Sequence, residues 1–168
     1  MVGVVSALTP AASLYDFILA AHIIAVVVAF GWTFALPIMF AYAAGKDPRG
    51  LGMLHRLEVR IYRMLLNPAL VVILAAGIYM ASDQHHWSEF FVQWGLAAIV
   101  IIGGVVGSVM IPAGKRAAAA VERDLQSYSG GEFTPSEEYR GLARRLTVAG
   151  GALWILVLAT IVIMAVKP

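Results

Sequence analysis

The sequence contains no cysteine. That excludes disulfide bonds, thiolate metal ligands and a cysteine nucleophile, and leaves imidazole and thioether ligation open. Charge is also scarce: 13% of the 168 residues are charged against 61% hydrophobic, with a mean hydropathy of +0.83. A soluble domain carries about twice that share of charge, so this composition excludes an ordinary water-soluble fold. No Lys or Arg precedes Lys46, and Pro10 interrupts the first residues, so the start does not read as a cleavable signal peptide. The net charge of +2 is no argument for nucleic acid, because the basic residues alternate with acids or abut apolar runs.

What remains is apolar sequence in long runs. Segments at about 14–44, 62–81, 91–114 and 147–166 are each long enough to cross a ~30 Å hydrocarbon core, which takes about 20 residues. One all-α domain, an integral membrane four-helix bundle spanning 1–168, uses up the chain, with the lipid bilayer as its first partner. Lys46, Arg49, Arg56, Arg60 and Arg63 cluster between the first two runs. Lys115, Arg116, Arg123, Arg140, Arg144 and Arg145 lie between the last two, and the middle connection has none. By the positive-inside rule both termini are outside (N-out/C-out) in a bacterial-type inner membrane. The breaker-free stretch Lys115 to Tyr128 predicts that span three continues as a helix. Ser129, Gly130 and Gly131 end it, and Thr134, Pro135, Ser136 and Glu137 carry the spacing of a capping box. A cytoplasmic helical hairpin over 115–146 is the expectation.

His22 is the one imidazole within these runs. Such a residue either hydrogen-bonds a neighbouring helix or binds metal. Ala25, Ala29 and Thr33 follow it on one helical face, leaving room for a neighbouring backbone or for a flat ligand such as a porphyrin. Gly103, Gly107, Met110 and Gly114 form a similar strip, for which close helix packing is the simpler reading. His22 lies about 12 Å inside span one, level with Leu74, Ala98 and Thr160. No second histidine stands at that depth within a span, which leaves a five-coordinate iron, a histidine–methionine pair using Met80 or Met164, or a ligand from another subunit. Arg56, Arg60 and Arg63 recur at i, i+4 and i+7, with Tyr62 and Asn67 nearby. They suit lipid phosphates, and equally the paired carboxylate contacts of porphyrin propionates. His85 and His86, beside Asp83, Trp87 and Glu89, are candidate copper or zinc ligands in an interfacial loop, and His55 reads as a surface or interface residue with Met53 and Met64 as candidate Cu(I) partners.

From His22 the chain reads H-x11-F-x-L-P-x2-F-x-Y, through Phe34, Leu36, Pro37, Phe40 and Tyr42. It then reads E-x-R-x-Y-R-x4-P-A-x7-G, through Glu58, Arg60, Tyr62, Arg63, Pro68, Ala69 and Gly77. Over spans one and two, and more loosely at Ile161, Val162 and Val166 to Pro168, this resembles the HemJ-type protoporphyrinogen oxidases and the four-span proteins grouped near them and near CopD-like copper proteins. The resemblance implies haem b bound through His22, with Arg60, Arg63, Tyr62 and Asn67 as cofactor-binding candidates and a porphyrin as candidate substrate. The family's third-span lysine and histidine give way to Phe90-Phe91-Val92-Gln93-Trp94 and Val105, and its Asn-Glu-Pro to Gly150, Gly151 and Leu153. The resemblance therefore points to haem binding more directly than to oxidation of protoporphyrinogen IX. Two other classes stand beside a haem redox protein: a non-catalytic accessory subunit, self-associating or part of a membrane complex, and a copper-handling protein.

Overall fold

The computed structural model describes residues 13–130 and 133–168. Among them there is no strand, and four helices are long and apolar enough to cross a membrane: Leu14–Lys46, Gly50–Asp83, Phe90–Gln126 and Glu137–Val166. Their most apolar 18-residue windows are only 6–28% buried. Large side chains such as Ile38, Val71, Val100 and Ile155 stand about 70% exposed. In water an apolar surface this extensive is a liability, whereas hydrocarbon leaves it at rest.

The first three helices are broken at matching places. In the first, α1 (Leu14–Phe30) passes through a 3-10 turn, Gly31–Phe34, into α2 (Leu36–Lys46). In the second, α3 (Gly50–Ile61) passes through a π turn, Tyr62–Leu66, into α4 (Asn67–Asp83). In the third, α5 (Phe90–Val105) passes through a π turn, Val106–Met110, into α6 (Ile111–Gln126). A proline, Pro37, Pro68 or Pro112, follows each break within the next helical turn. Proline lacks the amide that would bond the carbonyl four residues back, and its ring crowds that carbonyl, so the preceding turn rewinds. The fourth helix, α7 (Glu137–Val166), has no proline and runs unbroken.

Burial is concentrated at the arginine-rich end. On α6, Ala113, Ala117, Ala120 and Val121 are buried at helical spacing while Lys115, Arg116 and Arg123 face outward. On α3 the matching stripe is Leu51, Leu54, His55, Glu58 and Val59, continued by Tyr62 and Leu66. The two helices approach closely: a Cβ on Gly114 would lie 2.8 Å from Val59 Cγ2, and one on Gly52 3.0 Å from Glu122. Of the expected glycine strip only Gly114 makes such an approach. Gly103 is in ordinary contact with Leu70, and Gly107 faces open space.

Ser136, rather than Thr134, caps α7, its Oγ accepting from the Tyr139 amide at 3.2 Å. The reciprocal acid comes from the preceding helix: Asp124 Oδ2 accepts from the Ser136 amide at 3.0 Å and from its hydroxyl at 2.9 Å. A carboxylate already held on α6 thus does the work that local spacing assigned to Glu137, which pairs with Arg140. Gly130 adopts φ +110° in the turn, a conformation that favours glycine; Gly131 and Pro10 lie outside the described residues.

Candidate functional site

His22 is carried on α1 against α4, its most extensive neighbour. Its Nδ1 lies 3.1 Å from the Ile73 carbonyl oxygen. A carbonyl only accepts, so Nδ1 donates, and the neutral ring keeps its lone pair on Nε2. Gly77, one turn beyond Ile73, admits the ring: a Cβ there would already be in contact with His22 Cε1 at 3.8 Å. Ala25 and Ala29 are buried, so the small-residue strip serves helix packing rather than a ligand groove.

Room for a ligand lies beside that strip. A cavity of about 500 Å³ opens between α1, α4, α5 and the end of α7, within the usual range for small-molecule sites. Leu74, Ala98 and Thr160, the residues level with His22, all line it. Thr160 accepts from Trp94 Nε1 at 3.0 Å and donates to the Leu156 carbonyl at 2.8 Å, so its polar atoms are satisfied. The soft donors Met80 and Met164 reach the same cavity, and so does His86 from the α4–α5 loop. Lys167 lines it too, with Nζ 5.5 Å from the Phe91 ring centroid.

The other residues singled out in the sequence are placed elsewhere. Arg60 and Arg63 are exposed and do not line the cavity; Arg60 Nε donates to Met64 Sδ at 3.3 Å. Asn67 is exposed where the π turn rejoins α4. Tyr62 is buried, donates to Glu58 Oε1 at 3.0 Å and meets Trp32 edge-on at 5.2 Å. His85 is exposed, and among the described residues no three His, Cys, Asp or Glu side chains converge as a metal site.

A second polar group lies at the other end of the bundle. His55, read as a surface or interface residue, proves to be at an interface and is 3% exposed, with Glu58 beside it at 5%. His55 Nε2 lies 3.2 Å from the Tyr139 hydroxyl of α7, and its Nδ1 3.6 Å from Glu58 Oε2. Phe40 covers the imidazole at 4.6 Å. Met53 and Met64 point outward, 59% and 65% exposed, and do not join His55. The arrangement clamps α3, the π turn and α7 together. The signal was present in the sequence, since positions 55 and 58 fall on the stripe of Leu51, Leu54, Val59 and Tyr62.

Comparison of the chain with protein-family models, with characterised proteins and with solved structures finds no match.

Proposed function

We propose that the chain is a membrane haem b protein whose iron is held by His22, a HemJ-like scaffold in a bacterial-type inner membrane with the arginine-rich end cytoplasmic. The observation that carries this reading is the fixed tautomer of His22. Its Nδ1 is engaged by the Ile73 carbonyl, and Nε2 is left as a free base beside an apolar cavity of about 500 Å³. Metal-binding histidines are commonly oriented in this way by a carbonyl on the second nitrogen. The residues fit the group in part: base, apolar walls and volume are present, while Arg60 and Arg63 stand away from the cavity. Lys167 lines the cavity and is the cation that would meet propionates there, in the place the sequence reading gave to the arginines. Bound haem supplies one-electron chemistry, set by its axial ligands and by the dryness of its site.

The test is the visible spectrum of the purified chain after haem reconstitution. A Soret band is expected in wild type and not in His22→Ala, with both proteins folded by circular dichroism. A colourless wild type sinks the reading and favours the accessory subunit, for which the open face at Gly104 and Gly107 suits a second copy or another membrane chain. Action on a porphyrin is a separate step. Rescue of a strain lacking protoporphyrinogen oxidase supports it, and failure despite good membrane expression refutes it. One observation favours a different metal: His22, His86, Met80 and Met164 line a single cavity, and imidazole with thioether is the donor set that Cu(I) takes. Metal analysis of the purified protein separates iron from copper.

A further inference from the structure

His22 offers the cavity one basic nitrogen, and an iron held there has a second axial position. We propose that His86 fills it, making the cavity a two-histidine site; this rests on the haem reading above. The inference starts from the turn after α4. His85 adopts φ +56°, a left-handed conformation that residues with a Cβ rarely take up. The next amide is then tied back, the His86 N–H donating to the Ala81 carbonyl at 3.0 Å. Between them these features separate two adjacent imidazoles: His85 is exposed, and His86 is half-buried and lines the cavity.

The His86 ring rests edge-on against Phe91 of α5, with centroids 5.9 Å apart. His22 comes from α1 with its back to α4. The two imidazoles thus line one cavity with different backings, His22 against α4 and His86 against Phe91 of α5. The methionines are less well placed. Met80 follows Gly77 by three residues on α4, the wall against which His22 already lies, and the Met164 methyl is packed on the α5 backbone at Gly95. Imidazole is also a common axial ligand of haem iron.

The experiment uses the full chain in detergent, reconstituted with haem b and read by visible absorption and electron paramagnetic resonance. Wild type is expected to be six-coordinate and low-spin. His86→Ala should keep its Soret band, turn high-spin, and return to low-spin when imidazole is added. His86→Met keeps the side-chain bulk should the alanine variant misfold, and its reduction potential should rise as histidine–methionine ligation dictates. His85→Ala should leave the wild-type spectrum unchanged. A high-spin wild type, or a His86→Ala variant that stays low-spin, overturns the assignment and leaves the His22 haem reading intact. A wild type that takes up no haem overturns both.

Discussion

His22 and His55 lie toward opposite ends of the bundle, and they are used in opposite ways. Along the second helix His55 precedes Ile73, the partner of His22, by 18 residues, about 27 Å. At the arginine-rich end His55 is 3% exposed and wedged between Tyr139, Glu58 and Phe40. At the other end His22 is half-buried, with one nitrogen bonded to a backbone carbonyl and its side chain lining a cavity. Residue type does not decide between structural and ligand roles. What decides is whether neighbouring side chains occupy the space around the second nitrogen. Dense packing makes His55 a fastener between helices; loose packing leaves His22 available.

The comparison breaks most readily at the clamp. His55→Ala removes the partner of a buried carboxylate and of a buried phenol and leaves a void, so it should destabilise the fold by about 3–5 kcal/mol. Unfolding in mixed detergent micelles measures this, and haem uptake by the protein that remains folded should match wild type. A loss below about 1 kcal/mol shows that the clamp is not what joins α3 to α7.

Tyr62→Phe is a gentler cut at the same place. It deletes the hydroxyl that donates to Glu58 Oε1 and keeps the ring against Trp32, leaving one acceptor unsatisfied. About 1–3 kcal/mol is expected, since a buried polar atom is stranded. A double variant with His55→Ala should cost less than the sum of the two, because both act on Glu58. Strict additivity separates the two contacts and refutes a shared network.

These residues also mark how far the sequence could be read. Four apolar runs gave four helices, because length and hydropathy are local properties. Each run reads as one continuous span, and Pro37, Pro68 and Pro112 mark weakened turns without saying whether the chain rewinds there as a 3-10 or a π turn. His22 was conspicuous as a lone imidazole, whereas its tautomer depends on a carbonyl 51 residues away. His86 reads as a residue of an interfacial loop, and only the fold shows that it lines the same cavity as His22. His55 and Glu58 fall on core positions of the α3 stripe, but the sequence leaves His55 open between surface and interface. Their partner Tyr139 sits on another helix, beyond the reach of local spacing.

Ser136→Ala probes the hairpin that brings Tyr139 to the clamp. The variant loses the cap on the Tyr139 amide and one of the two bonds to Asp124. About 1 kcal/mol is the usual value of such a cap. The effect should be confined to the first turn of α7, which hydrogen exchange of the Glu137 to Arg140 amides reads directly. Faster exchange there, with unchanged amides near Thr160, places the hairpin with the clamp and apart from the cavity. Equal acceleration at both ends instead means that the two regions unfold as one unit.

His22→Ala has the smallest expected effect on the fold and sharpens the comparison most. The ring makes a single hydrogen bond, to a carbonyl in a helix, and contacts between membrane helices of this kind are worth about 0.6 kcal/mol. The alanine opens space into a cavity that already exists, so little packing is lost. The expected result is a stability within about 1 kcal/mol of wild type together with complete loss of the Soret band. His55→Ala should give the reverse: a badly destabilised protein that still colours when folded. If His22→Ala instead costs as much as His55→Ala, the imidazole is a fastener like its counterpart. The volume beside it is then a packing void.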